Sequence, residues 1–165
     1  MSGTPRLGLA LLSAGQAQKE FFHNEALQTL DILVAAAVEE LPRAAPPPSP
    51  ALGAAYIVDS APTGAWTGKA QNLAAYTTGG WRFIPPMDGV YVFVKSQQLW
   101  GGYRAGAWEI GKVRGSNLVL GGVQVVGSQA AAIPNPSGGI TADSEARTAV
   151  GQILAALRQH GLIAT

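Results

Sequence analysis

Two stretches of this chain repeat apolar residues at helical spacing, and between them the period changes to that of short strands. Near the start, Leu27, Leu30, Val34, Ala37 and Leu41 step by three, four, three and four while Gln28, Asp31, Glu39 and Glu40 stay polar. This is the one-sided stripe of an amphipathic helix two heptads long. Ser13 with Gln16 has the spacing of a capping box, Asn24 offers a second cap, and Pro42 is expected to end the helix. At the other end, Ala146, Val150, Ile153 and Leu157 step by four, three and four. Thr141 is the expected N-cap there, with Asp143 and Glu145 in the first turn and Arg158 and His160 in the last, opposing the helix dipole at both ends. Gly161 falls where a left-handed C′ residue belongs, and Leu162 can fold back onto Leu157 as in a Schellman stop. Each stripe docks either on its own domain or on another copy, since two heptads fit both.

Between the helices the pattern predicts strands at Ala55–Val58, Asn72–Tyr76, Trp81–Ile84, Val90–Val94, Gln98–Tyr103 and Ala107–Ile110, a small antiparallel sheet or barrel. Gly79-Gly80, Met87-Asp88-Gly89 and Gly101-Gly102 are the expected turns. Asn117–Leu120 and Val123–Val126, around Gly121-Gly122, read as a hairpin or a pair of exposed strands. Asn135 to Gly139 then turns the chain toward the terminal helix. The expected fold is therefore α+β and mainly β. Its predicted segments are a helical N-terminal part over 1–43, a proline-rich linker over 44–52, a β domain over 53–114 and a hairpin plus helix over 115–165. Ala44 to Pro50 reads as a stiff polyproline-like spacer.

Composition narrows the chemistry. The 165 residues include no cysteine, which excludes thiolate metal sites, disulfides and cysteine nucleophiles. Charged residues make up only 13%, against 21 glycines and 11 prolines, a composition of short strands and turns whose surface is usually covered by partners. The net charge of +1 divides into −2 over 1–43, +3 over 44–115 and zero over 116–165, none of which is a nucleic-acid footprint. Leu7 to Leu12 is too short for a secretory signal, and Ile32 to Val38 is far below the roughly 20 apolar residues that span a bilayer. No signal peptide, no membrane insertion and no nucleic-acid partner are expected.

Catalytic groups that could converge are scarce. His23 and His160 lie at opposite ends, and His23-Asn24-Glu25 is better explained by capping or packing, because adjacent helical residues do not share a face. Asp59 and Asp88 are the only carboxylates between residues 41 and 108, both in turn-like contexts, so a paired-carboxylate glycan hydrolase is the weakest reading. No catalytic residue, cofactor or metal is expected.

The aromatic content is more suggestive. All four tryptophans fall between residues 66 and 108, interleaved with Arg82, Lys95 and Arg104. Flat aromatic faces stack on sugar rings, but a small β module also fills its core with them. Trp66, Trp81, Trp100 and Tyr103 are the candidate glycan contacts, with Trp66 and Trp100, beside glycines in expected loops, the best surface candidates.

Arg6-Leu7-Gly8-Leu9, Gly15 to Glu20, His23 to Leu27, Tyr56-Ile57-Val58, Gly64-Ala65-Trp66 and Gly80 to Phe83 carry a resemblance, joined by Val125-Val126-Gly127, Gly138 to Arg147 and Leu157 to Leu162. Together they resemble a family of phage-derived particle proteins, described as a domain of unknown function, found in alphaproteobacterial prophages and gene transfer agents. The resemblance implies a virion component: a head spike, fibre or decoration protein that helps a phage-like particle attach to the host cell. It carries no catalytic residues. The chain lacks a long shaft or a large glycan-binding domain, which fits a spike base or adaptor. The expected partners are other virion proteins and further copies of the chain, a trimer first and a pentamer at a capsid vertex. Leu27, Leu30, Val34, Leu41, Val150, Ile153 and Leu157 are the expected interface residues. The expected location is the particle surface, after synthesis in the bacterial cytoplasm. A carbohydrate-binding module for cell-surface polysaccharide is the alternative.

Overall fold

A computed structural model describes residues 3–12, 19–139 and 143–165. The fold is α+β and mainly β, with two helices and nine strands among the described residues. It divides into two compact units, one ending at Lys112 and the other spanning Val113–Thr165.

The first unit opens with a short segment that folds onto helix α1 (Lys19–Leu33). Asp31, 1% exposed, accepts hydrogen bonds from Thr4 Oγ1 (2.7 Å) and from the backbone N–H groups of Arg6 (3.0 Å) and Leu7 (2.5 Å). The Arg6 guanidinium then donates to the carbonyls of Asp31, Ile32 and Ala35, satisfying the acceptors that a helix leaves open at its C-terminus. At the other side of the segment, the Asn24 amide bonds both N–H and C=O of Leu12.

Helix α1 therefore ends earlier than its apolar stripe predicts. Ala35 has φ 49°, and the chain enters strand β1 (Ala37–Val38), which pairs in parallel with β5. Ala37 and Leu41 thus leave the helix, and Pro42 has no helix to stop. Asn24, expected as a cap, lies within α1. The Ser13–Gln16 capping box falls outside the described residues.

Strands β2 (Ala55–Ile57), β3 (Leu73–Thr77) and β4 (Gly80–Ile84) form one antiparallel sheet. Strands β5 (Tyr91–Val94), β6 (Leu99–Arg104) and β7 (Ala107–Ile110) form the other, in the order β1-β5-β6-β7. The run 36–43 joins them. Its first part accepts from Phe93 of β5 and from Lys95 just beyond it, and its later part donates to Ala55 and Ile57 of the first sheet, through Glu39 and Arg43. The proline-rich residues that follow lie within this same unit, where Ala44 O accepts from Thr63 N.

Alternation along β2 sends Ala55 and Ile57 to one core and Ala54, Tyr56 and Val58 to another. The first core lies between the sheets, where Val38, Leu73, Val92 and Val94 meet Ile32 of α1. The second is closed by Trp66, carried on a single 3₁₀ turn (Gly64–Trp66). Both faces of β2 are buried, so its sequence is a continuous apolar run.

Gly101-Gly102, expected as a turn, lies inside β6. The turns fall on either side, with Gln98 at φ 54° and Ala105-Gly106 at φ 48° and 84°. The glycines serve close approach: a Cβ on Gly101 would lie 2.3 Å from Ile110 Cδ1, and one on Gly102 would lie 2.9 Å from Tyr91 Cε1.

In the second unit, β8 (Leu118–Leu120) and β9 (Val123–Val126) form a hairpin around Gly121-Gly122, both at positive φ. Helix α2 (Ser144–Gln159) is capped by Asp143, whose carboxylate accepts from Ala146 N at 2.8 Å. Asp143 thus takes the capping role expected of Thr141, which lies outside the described residues. The helix ends in a Schellman motif, with Gly161 N bonded to Arg158 O and Leu162 N to Leu157 O. The chain before α2 is tied to it by Arg158, which donates to Asn135 Oδ1 and Ile133 O, and by the backbone bonds between Ala130 and residues 162–164.

Candidate binding surfaces

The strand period sorts the aromatic residues into core and surface. Trp66 is fully buried, with its ring against Trp81 (5.1 Å between centroids) and Tyr56 (5.9 Å). Trp81 packs further against Tyr76 at 5.1 Å. Trp66 is therefore not a surface contact: the glycines beside it make the turn that drives its indole inward. Tyr103 shares the inner side of its sheet with Gly101, and its ring meets Trp108 at 5.3 Å. Trp108 itself packs on the inter-sheet core and donates from Nε1 to Gln71 O at 2.8 Å.

Trp100 is different. It is 60% exposed and lies opposite Phe93 on the outer face of the sheet, the two rings meeting edge to face at 5.4 Å. Since Val92 and Val94 point into the core, Tyr91 and Phe93 point out with Trp100. Tyr91 lies across the bare backbone of Gly102, and Arg104 follows on the same face. The outer face thus presents Tyr91, Phe93 and Trp100 side by side. Tyr91 and Phe93 were not singled out by the sequence, although strict alternation with two buried valines marks them.

The expected interface residues also divide. On α1, Leu27 is half-buried while Leu30 is exposed, as is Val34 just past the helix end, and Phe22, 71% exposed, extends their line one turn at a time through Ala26. Leu41 is exposed beyond β1. On α2, Val150 and Ile153 are exposed, Leu157 is half-buried, and Leu154 is the residue that buries.

Polar groups serve structure. Glu25 forms a two-pronged ion pair with Arg82 of β4, one contact at 2.6 Å. Asp59 Oδ1 accepts from Ser60 N at 2.5 Å, and Asp88 Oδ1 from Ala105 N at 3.0 Å. An open groove of about 520 Å³ is lined by Arg6, Glu39, Leu52, Tyr56 and Lys95 among others, with Lys95 paired to Glu39 at 2.7 Å. Burial first, then the Glu39 and Glu40 carboxylates, push the Tyr56 phenol above its ordinary range, while Arg43 opposes them. No cluster of three metal-ligating side chains occurs among the described residues. No described helix is long and apolar enough to cross a membrane.

The family described as protein of unknown function (DUF2793) matches residues 23–109, just over half of the chain. The chain belongs to the DUF2793 family. The DUF2793 region runs from the middle of α1 to β7 and so contains both sheets of the first unit, the Glu25–Arg82 pair and the outer aromatic face. The second unit lies beyond the DUF2793 match. No curated protein and no solved structure matches the chain.

Proposed function

We propose that this chain is a structural component of a phage-like particle, serving as a base or adaptor of a head spike or fibre in attachment to the host cell. The observation that carries the reading is the apolar ridge of α1. Phe22, Ala26 and Leu30, with Val34 at the helix end, follow one another at intervals of four on its solvent side, where a helix that only packs on its own domain carries polar residues. Such a ridge fits the surface of another protein. The resemblance of the sequence to phage-derived particle proteins supplies the kind of assembly. In this reading the ridge docks on a neighbouring virion protein, and the particle surface is where the chain works.

The test is to purify particles from a producing strain, detect the chain by mass spectrometry and locate it by imaging. Particles made with Leu30→Ser and Phe22→Ser should lose most of the chain. Particles that never contain the chain, or that retain it fully in the double variant, would refute this reading.

Trp100 favours a second reading, a carbohydrate-binding face. An indole 60% exposed beside Phe93 and Tyr91 offers a flat surface on which a sugar ring stacks. Titration with host capsular polysaccharide should then show binding that Trp100→Ala abolishes without loss of fold.

A further inference from the structure

A protease of trypsin-like specificity needs two things from its substrate: a Lys or Arg side chain for its acidic pocket, and several residues of backbone drawn out into an extended strand. The second need protects most basic residues of a folded chain, because backbone held in a helix, a ladder or a tight turn is not free to be drawn out. This chain has eleven Lys and Arg residues. Arg6, Arg43 and Lys95 donate their own backbone N–H groups to Asp31, Ile57 and Val38, and Lys69 donates within its turn. Five more lie in α1, α2, β4 and β6. Lys112 and Arg114 remain, just past β7, in a run from Gly111 to Asn117 that is exposed throughout and belongs to no helix or strand.

Between these two, the backbone favours Arg114. Gly111 N is held by Trp100 O at 2.8 Å, so the residue leading into Lys112 is still anchored to β6, and the Lys112 ammonium lies 3.7 Å from Glu109. A cut after Lys112 would also put the branched Val113 beside the scissile bond. Arg114 is preceded by Val113, 99% exposed, and followed by Gly115, which puts no side chain in the way. Beyond it the next basic residue is Arg147, inside α2.

A cut here also spares the family domain. The DUF2793 match ends at residue 109 and the first compact unit at Lys112, so the residues before Gly115 contain β1 to β7 and both hydrophobic cores.

We propose that the Arg114–Gly115 bond is a processing site for an arginine-specific endoprotease, which removes residues 115–165 and leaves the DUF2793 unit whole. Water adds across the peptide bond, leaving a carboxylate on Arg114 and an amine on Gly115. The site is independent of the assembly reading above.

The test follows the natural chain. Intact mass spectrometry of the chain from the cells that make it should find a species ending at Arg114. Arg114→Gln should leave the chain at full length, while Lys112→Gln should be cut as the wild type is. With the purified full chain, trypsin should cut first at Arg114, and Arg114→Gln should slow cleavage of that bond by roughly a hundredfold or more, since a pocket built for a cation rejects a neutral side chain. All four tryptophans lie in the first unit, so emission should stay native after the cut.

A chain found only at full length in its own cells, a first tryptic cut at another residue, an Arg114→Gln chain still shortened at the same bond, or a loss of native emission on cutting would each overturn the processing site. A processed chain that is absent from particles refutes the particle reading and leaves the processing site standing. A full-length chain found in particles does the reverse.

Discussion

Glu25 on α1 and Arg82 on β4 face each other across 57 positions of sequence, the carboxylate accepting from both terminal nitrogens of the guanidinium. The pair ties the helix to the outer strand of the first sheet. Both side chains are about one-third exposed, so solvent weakens the attraction, but the two-pronged geometry keeps it directional. Arg82→Lys preserves the charge and loses the fork, and should lower stability by roughly 1 kcal/mol in urea unfolding. Glu25→Gln should cost about the same, and the double variant should cost less than the sum.

Asp31 holds the N-terminal segment by three hydrogen bonds from a site closed to water. Removing the carboxylate leaves the Thr4, Arg6 and Leu7 donors without their acceptor, at a cost of about 1–3 kcal/mol for each group that stays buried. The segment relieves this by detaching. Asp31→Ala should therefore expose the Arg6-Leu7 bond, seen as faster tryptic cleavage there while tryptophan emission stays native.

The end of α1 shows where the sequence stops being legible. The stripe Leu27, Leu30, Val34, Ala37, Leu41 keeps its three–four rhythm straight through the break, so the local signal favours helix throughout. What overrides it is long-range: Ala37 and Val38 pair with Phe93 and Val94, and no residue near 37 announces a partner that distant. By contrast, β2 to β9 are all legible within one or two residues. Their runs of β-branched and aromatic residues, bounded by turn residues, are local signals, although Gly101-Gly102 marks close approach within β6 and not a turn. Trp66 failed for a related reason, since flanking glycines mark a turn but not the direction in which its side chain points.

Trp66 and Trp100 should consequently respond in opposite ways to truncation. Trp66→Ala opens a large cavity in the second core and should cost about 3–5 kcal/mol. Trp100→Ala removes an exposed ring and should cost less than about 1 kcal/mol, with a red-shifted emission component lost. Comparable losses from both would contradict their placement.

Gly101 and Ile110 make a coupled pair. A Cβ on Gly101 would lie 2.3 Å from Ile110 Cδ1, the mobile end of a side chain. Gly101→Ala should destabilise by about 1–3 kcal/mol. Ile110→Val deletes the clashing methyl, so adding it should recover part of that loss, where two independent sites would lose more.

Alkaline pH probes Tyr56. Its phenol titrates above the ordinary value of 10.0 when folded, so the unfolded chain gives up this proton first as pH rises. The stability it contributes is complete below pH 10.0 and is lost as pH climbs through the folded value. Unfolding measured above pH 10.0 should show this decline, and Tyr56→Phe should flatten it.

The run 36–43, hydrogen-bonded to β5 at its start and to β2 further on, also governs the order of events during synthesis. Helix α1 and this run leave the ribosome first, yet their strand partner at Phe93-Val94 is made more than fifty residues later. The first sheet can pair β2 with β3 and β4 as they emerge, but the inter-sheet core stays open on the side of Val92 and Val94 until β5 arrives. For that interval Ile32, Ala36 and Val38 lack their neighbours on β5. Closure of the first unit thus waits until β5 has been made.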